Sequence, residues 1–117
     1  MQPGDILASE YYDGASSSSG HVMMAVAVPQ ERVASKPVVE GTVQYELQIA
    51  DSTKSPHGVL DNRYNSGATD DTGAGVGVMR LYTDGGGIIV GYTWSTKGGS
   101  VFYESSQRDL EVGRFQP

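Results

Sequence analysis

The sequence contains no cysteine at any of its 117 positions. Disulfide bonds and thiolate metal sites are therefore excluded, and so is a cysteine nucleophile supplied by this chain. Because disulfides are the main compositional sign of an oxidising compartment, their absence leaves the localisation unknown.

Basic residues and long apolar runs are both scarce. Eight Lys and Arg stand against 14 Asp and Glu, which gives a formal net charge of −6 and a pI near 4.6. A surface of this sign repels phosphate backbones and anionic lipids, so we expect no nucleic-acid and no membrane partner. The longest apolar run, residues 22–28, is far shorter than the roughly 20 residues of a membrane-spanning helix. No cationic segment precedes it, so we also expect no signal peptide.

Helical periodicity is absent as well, whereas glycine is plentiful. The 16 glycines exceed the usual share, which is roughly 7% of a chain. A chain of this length fits one domain, so we assign residues 1–117 to a single β domain. The pattern predicts a mainly β fold: a small antiparallel sheet of five or six strands, strongly bent or closed into a barrel.

Two segments define the centre of the predicted sheet. Residues 21–28, HVMMAVAV, are apolar at both odd and even positions, which predicts a central strand covered on both faces. Residues 43–51 alternate instead, with Leu47, Ile49 and Asp51 on one face and glutamines on the other. This alternation predicts a half-buried strand with a wet outer face.

The remaining strands are defined by turns. Residues 75–83 and 87–94 flank an Asp-Gly-Gly sequence, which predicts a hairpin. Weaker strands are expected at residues 6–8 and 109–113. A polar loop over residues 10–20 contains a four-serine run typical of an exposed loop tip. A second polar loop, about residues 52–74, is long for so small a domain, and such loops are usually functional or disordered.

Two ionisable residues stand at the ends of predicted strands. His21 follows Gly20 at the start of one strand, and Asp51 closes the inward-facing row of another. If the strand ends align, a carboxylate would hold the imidazole in one tautomer, as a general base requires. The alternative is a structural histidine bonded to backbone or water, with Asp51 capping the following loop.

The loop after Asp51 carries further candidate site residues. Ser52 and His57 lie among small polar residues and are candidate binding residues, although an exposed turn at Pro56 accounts for the same pattern. The two histidines lack the close spacing of zinc motifs, and the acidic loop lacks the ligand pattern of a helix–loop–helix calcium site. We therefore expect no metal and no cofactor.

Three segments occur in a familiar order: PGDIL at residues 3–7, GHVMMAV at 20–26 and LQIADST at 47–53. This order resembles the second, β-sheet half of NlpC-type cell-wall cysteine peptidases and the related CHAP amidases, which are papain-like. The match covers roughly the first half of the chain. The resemblance implies that His21 corresponds to the general base and Asp51 to the residue that orients it.

The resemblance also implies what this chain does not encode. In the family a cysteine-bearing helix precedes the PGDIL strand and covers the sheet, but this chain begins at that strand. We therefore expect another chain to cover the face that carries His21, Met23 and Ala25. The partner is predicted to be a second copy, in a homodimer, or a chain that supplies the helix.

Three functions follow from these observations. The first is a Cys-less papain-like domain, incomplete or non-catalytic, that binds a peptide or peptidoglycan-like ligand. The second is a stand-alone acidic β-barrel that binds or has a structural role, with His21 incidental. The third is an amide hydrolase that uses His21 and Asp51 with a water or a hydroxyl.

Overall fold

The computed structural model describes residues 1–14 and 17–116, which form one antiparallel sheet of eight strands. The strands are β1 Ile6–Tyr11, β2 Gly20–Ala25, β3 Gln30–Arg32, β4 Val43–Thr53, β5 Gly73–Thr83, β6 Ile89–Thr93, β7 Phe102–Glu104 and β8 Arg108–Gly113. The only helical segment in the described ranges is a 3₁₀ turn, Gly58–Leu60, so no helix there is long and apolar enough to cross a membrane. The predicted mainly β fold is confirmed.

The sheet bends into a nearly closed barrel. Its strands follow the order β7-β6-β5-β4-β2-β1-β8, and β3 pairs with β4 beside β2. The two outermost strands approach each other, since the Arg108 guanidinium carbon of β8 lies 3.9 Å from the ring centre of Tyr103 in β7. The strand count exceeds the predicted five or six because β3 and β7 have three residues each, too few to show alternation.

The predicted hairpin is confirmed. Strands β5 and β6 pair from Arg80 and Thr93 to Thr83 and Ile89. In the turn, the side chain of Asp84 accepts hydrogen bonds from the backbone N–H groups of Gly86 and Ile88. This self-contained turn explains why local sequence was sufficient to find it.

The barrel interior is filled by the chain itself. Its apolar core comes from six of the eight strands: Leu7, Met23, Ala25, Leu47, Ile49, Met79, Leu81, Tyr92 and Leu110. Met23 and Ala25 are 2% and 0% exposed. The expectation that another chain must cover the face of His21, Met23 and Ala25 is therefore wrong. Curvature of the sheet encloses this face without a helix.

The opposite face of β2 is the one that remains uncovered. Val22 is 60% exposed and Met24 is 40% exposed, so the prediction that this strand is covered on both sides is also wrong. Pairing aligns Met24 with Ile6 on one side and with Ala50 on the other, and Ala50 with Val76. We call Ile6, Met24, Ala50 and Val76 the outer row.

The predicted wet face of β4 is only partly wet. Gln48 is exposed, but Gln44 is buried because residues 35–37 cross over it. Its amide donates to the Ser35 carbonyl at 2.7 Å and its oxygen accepts from Arg80 at 3.3 Å. Alternation predicted the strand and its inner face, whereas burial of the amide depends on a distant segment.

The two predicted loops are shorter in the structure. Strand β1 extends to Tyr11, and positions 15 and 16 of the first loop lie outside the described residues. In the second loop, β4 reaches Thr53 and β5 begins at Gly73. The residues between them, 54–72, include three fully or almost fully buried side chains: His57, Asp61 and Arg63. This loop therefore packs onto the barrel.

Candidate functional site

His21 and Asp51 meet at one end of the barrel. The Nε2 atom of His21 lies 2.7 Å from Oδ2 of Asp51. Extension of the β2–β4 register would place His21 opposite Thr53, so Asp51 is its diagonal neighbour on the inward face. Diagonal pairs on adjacent strands are close enough for long side chains to touch. The sequence-based expectation that these two side chains come together is thus met in the structure.

The side chain of Asp51 is fully buried and binds three other side chains. Its Oδ2 also accepts from Nε2 of His57 at 2.7 Å, and its Oδ1 accepts from Arg63 at 2.7 Å. Burial acts to raise the pKa of Asp51, but the hydrogen bonds from His21, His57 and Arg63 outweigh it and hold the pKa well below its ordinary value. Asp51 is therefore a carboxylate at neutral pH.

His57 lies behind Asp51, away from solvent. Its side chain is fully buried, and its Nδ1 lies 2.7 Å from the Trp94 carbonyl oxygen. Both ring nitrogens thus face oxygen acceptors, and only an imidazolium can donate from both. The expectation that His57 contacts a ligand is corrected, since a ring with no exposed surface holds Asp51 in place instead.

Asp61 and Arg63 complete the cluster, and sequence reasoning missed both. The Arg63 guanidinium bonds the Asp61 carboxylate at 2.8 and 2.7 Å and also donates to the backbone carbonyl of Gly73. Hydrogen bonding to Asp61, the largest effect, raises the pKa of Arg63 further above its ordinary value. Burial raises the pKa of Asp61, but its bonds to Arg63 and to the His57 backbone lower it overall.

Glycines in β5 leave room for this cluster. A Cβ atom built on Gly77 would collide with Asp61 and lie 2.8 Å from Cβ of His57. A Cβ atom on Gly75 would lie 2.6 Å from Cδ of Arg63. The alternation of glycines in GAGVG at residues 73–77 was the available sequence signal that another segment packs closely against this strand.

The charged groups of the cluster are paired. Two carboxylates, Asp51 and Asp61, face the Arg63 guanidinium, and both histidine rings bond Asp51. Buried charges are tolerated when they are paired and hydrogen-bonded in this way.

Trp94 covers the cluster on its remaining side. Its ring stacks on His57 at 3.9 Å and leans against His21 at 5.1 Å. The indole N–H donates to the Ser55 carbonyl at 2.9 Å, which ties the ring to the loop. The alternating pattern that predicted a strand over residues 87–94 gave no indication that Trp94, just after β6, covers the cluster. By excluding water from Asp51, the indole strengthens the hydrogen bonds beneath it.

His21 opens into a pocket of about 970 Å³. Hydroxyl groups, aromatic rings and two cationic side chains line it: Tyr11, Ser17, Ser18, His21, Ser52, Thr53, Lys54, Ser55, Thr72, Gly73, Trp94, Tyr103 and Arg108. Ser52 thus lines the pocket as expected of a binding residue, whereas His57 does not. Because Asp51 occupies Nε2 of His21, the nitrogen left to accept a proton is Nδ1, which bonds no described residue.

His21, Asp51 and His57 also form a possible set of metal ligands. One ligand atom from each lies within 4.8 Å of the other two. The carbonyl of Trp94 at Nδ1 of His57 is a common outer partner of a ligating histidine. However, the 2.7 Å separations between nitrogen and oxygen are those of hydrogen bonds. We interpret the cluster as a hydrogen-bonded network.

Comparison with known proteins provides one relative. No family model and no solved structure matches the chain. An uncharacterized protein of Acanthamoeba polyphaga mimivirus is 32% identical over 122 residues, which cover 97% of this chain. The chain spans about half of that relative's length, 53%.

Proposed function

We propose that this chain provides the part of a papain-like, NlpC- or CHAP-type amide-hydrolysing centre that carries the general base. It binds a peptide or peptidoglycan-like ligand in its pocket. The contact between His21 and Asp51 carries the proposal. It leaves Nδ1 of His21, the ring nitrogen that Asp51 does not engage, as the proton acceptor beside a pocket large enough for a ligand. His21 and Asp51 are also the positions to which the sequence resemblance assigns base and orienting residue.

The nucleophile of such a centre must come from outside this chain. The sequence has no cysteine, and none of the hydrogen bonds between described residues joins a hydroxyl group to His21. In this proposal the chain alone binds the ligand, and a thiol from a partner or from another segment would complete the hydrolytic centre. The mimivirus relative has about as many residues outside the matched region as within it, so related chains have room for such a segment.

The alternative is a β-barrel module with no catalytic role. One observation favours it: Asp51 binds His57 and Arg63 as well as His21, so the same network would brace the long loop without any chemistry. The two functions differ in what they require of Nδ1 of His21. A general base must be able to accept a proton from a thiol placed in the pocket, whereas a purely structural histidine need not.

The absence of native cysteines allows a direct test. Single cysteines would be introduced at hydroxyl residues that line the pocket: Ser17, Ser52, Thr53, Ser55 and Thr72. Their rates of alkylation by iodoacetamide would be measured against pH in buffer containing EDTA. Ser106→Cys, exposed and outside the pocket, provides the matched control.

We expect at least one pocket thiol to react about tenfold faster at neutral pH than the control, because a neighbouring imidazolium stabilises a thiolate. Adding His21→Ala should abolish the difference, and adding His57→Gln should not, provided that the fold is retained by circular dichroism. If no pocket thiol responds to His21→Ala, His21 is not a base for this site and the structural alternative stands.

A further inference from the structure

The pocket differs in charge from the rest of the molecule. The chain carries 14 acidic residues and a net charge of −6, yet none of the described residues that line the pocket is an Asp or a Glu. Two cationic side chains, Lys54 and Arg108, line it instead. In an acidic protein this local reversal favours an anionic group in the ligand.

Arg108 is held rigidly at the pocket wall. Its guanidinium carbon lies 3.9 Å from the ring centres of both Tyr11 and Tyr103, between the two rings. Asp13 accepts from its Nε at 2.8 Å. A guanidinium has five N–H donors, of which Asp13 takes one through this bond. N–H groups of Arg108 therefore remain to donate to a planar acceptor such as a carboxylate. Because the side chain is already fixed, it loses little conformational entropy on binding.

Arg108 shares the inward face with His21. Strand β1 pairs Ser9 with His21 on one side and with Leu110 on the other, and it pairs Tyr11 with Arg108. Arg108 in β8 is thus separated from His21 in β2 by the intervening strand β1 and is offset by two residues along the strand direction. Ordinary sheet spacings put their Cα atoms about 12 Å apart, a span of about three extended residues.

We propose that Arg108, assisted by Lys54, binds a carboxylate of a peptide ligand whose scissile amide lies at His21. This inference rests on the proposed function, because it assumes a ligand in the same pocket. It adds a substrate class: short peptides with a free carboxylate about three residues or fewer from the reacting amide.

The test uses two probes that differ only in charge, acetyl-Ala-Ala with a free carboxylate and the same dipeptide as its terminal amide. Trp94, the single tryptophan, lines the pocket and reports binding by its fluorescence. We expect the acid to bind about tenfold more tightly than the amide, the size typical of charge-assisted hydrogen bonds. The preference should shrink as salt is added.

Variants identify the residue responsible. Arg108→Lys keeps the charge but loses the planar fork, and should remove most of the preference for the acid. Because Arg108 is buried and its replacement risks the fold, Lys54→Gln, an exposed position, provides a second measurement with an expected loss of about threefold. Lys36→Gln makes the same charge change at an exposed position outside the pocket and should have no effect.

The outcomes separate this inference from the proposed function. Equal affinity for acid and amide, or a preference unaltered in both Arg108→Lys and Lys54→Gln, would overturn the carboxylate site while leaving the peptide site intact. Failure of both probes to bind at millimolar concentration would overturn the peptide ligand and this inference with it. The thiol measurements would still decide separately whether His21 acts as a base.

Discussion

At the scale of single residues, Asp51 organises the site. A buried carboxylate is costly unless several donors face it, and here His21, His57 and Arg63 all do. His21 differs from the other two because it also borders the pocket. The same carboxylate therefore stabilises the loop on one side and orients an accessible imidazole on the other.

Arg63→Met is expected to be strongly destabilising. It removes the buried cation that faces both Asp51 and Asp61, and breaking a buried pair from one side typically costs about 3–5 kcal/mol. Urea unfolding would measure the loss. The control is Arg32→Met, which removes a half-exposed pair with Glu46 and should cost less than about 1 kcal/mol. Similar losses for the two variants would mean that the buried network contributes little.

The sequence was sufficient for part of this site. His21 and Asp51 lie at the ends of segments whose alternation defines their inward faces, so their proximity could be predicted from strand register. His57, Arg63 and Trp94 could not be placed, because each depends on how an aperiodic loop folds back on β5 and β6. Such packing is tertiary and leaves almost no periodic trace in the sequence.

At the scale of elements, the loop over residues 54–72 depends on the glycines of β5. Local sequence predicted the β5–β6 hairpin because its turn satisfies its own backbone, and it predicted β4 because one face alternates. It missed β3 and β7 because three residues cannot show a period. The packed loop over residues 54–72 was missed for a different reason. It has many residues, but their apolar and polar side chains follow no period.

Gly77→Ala tests this dependence. The added methyl group would meet Asp61 and His57, so we expect a loss of about 1–3 kcal/mol, the usual cost of overpacking. Gly85→Ala is the matched control, since no atom lies within 4 Å of the position of its Cβ. Thermal unfolding of both variants would show whether the loop is pressed against β5. Equal effects would indicate that the loop has room to move away.

The segments that flank the barrel strands are joined by an acid-sensitive contact. Arg114, after β8, donates to Asp5, before β1, at 2.8 and 3.0 Å, and the Gln2 backbone N–H adds a bond at 2.9 Å. These bonds, that of Arg114 first, lower the pKa of Asp5 from 3.8 to about 2. Because the folded pKa is depressed, the stabilisation is present above about pH 4 and is lost as pH falls through about 2.

The measurement is the free energy of unfolding of the wild type minus that of Asp5→Asn, followed from about pH 6 to about pH 2. The other buried carboxylates are common to both proteins, so the difference isolates Asp5. It should be positive at pH 6 and shrink toward the acid end. A difference independent of pH would show that the contact with Arg114 does not distinguish the charged carboxylate from a neutral amide.

At the scale of the whole molecule, the barrel closes over its core but leaves apolar side chains outside. The outer row, Ile6, Met24, Ala50 and Val76, crosses four adjacent strands. Ile6, Met24 and Val76 are each about two-fifths exposed, and Val22 next to them is 60% exposed. The sequence analysis placed a partner over the interior face, which the barrel itself closes. That the chain forms a homodimer or binds a partner chain stays a prediction, and we add the new prediction that the contact lies on the outer row.

Self-association through the outer row should be visible in solution. Light scattering at increasing concentration is expected to show a rising mass, and an apolar dye should bind at low concentration, because contiguous exposed apolar surface favours association. Met24→Glu should suppress both effects without unfolding the barrel, since this side chain points away from the core. Val38→Glu, which changes another exposed apolar residue outside the row, should suppress neither.

A monodisperse monomer that binds no dye would contradict the prediction. It would mean that apolar side chains on four adjacent strands are exposed to water without promoting association. Association that survives Met24→Glu would instead place the contact elsewhere on the barrel.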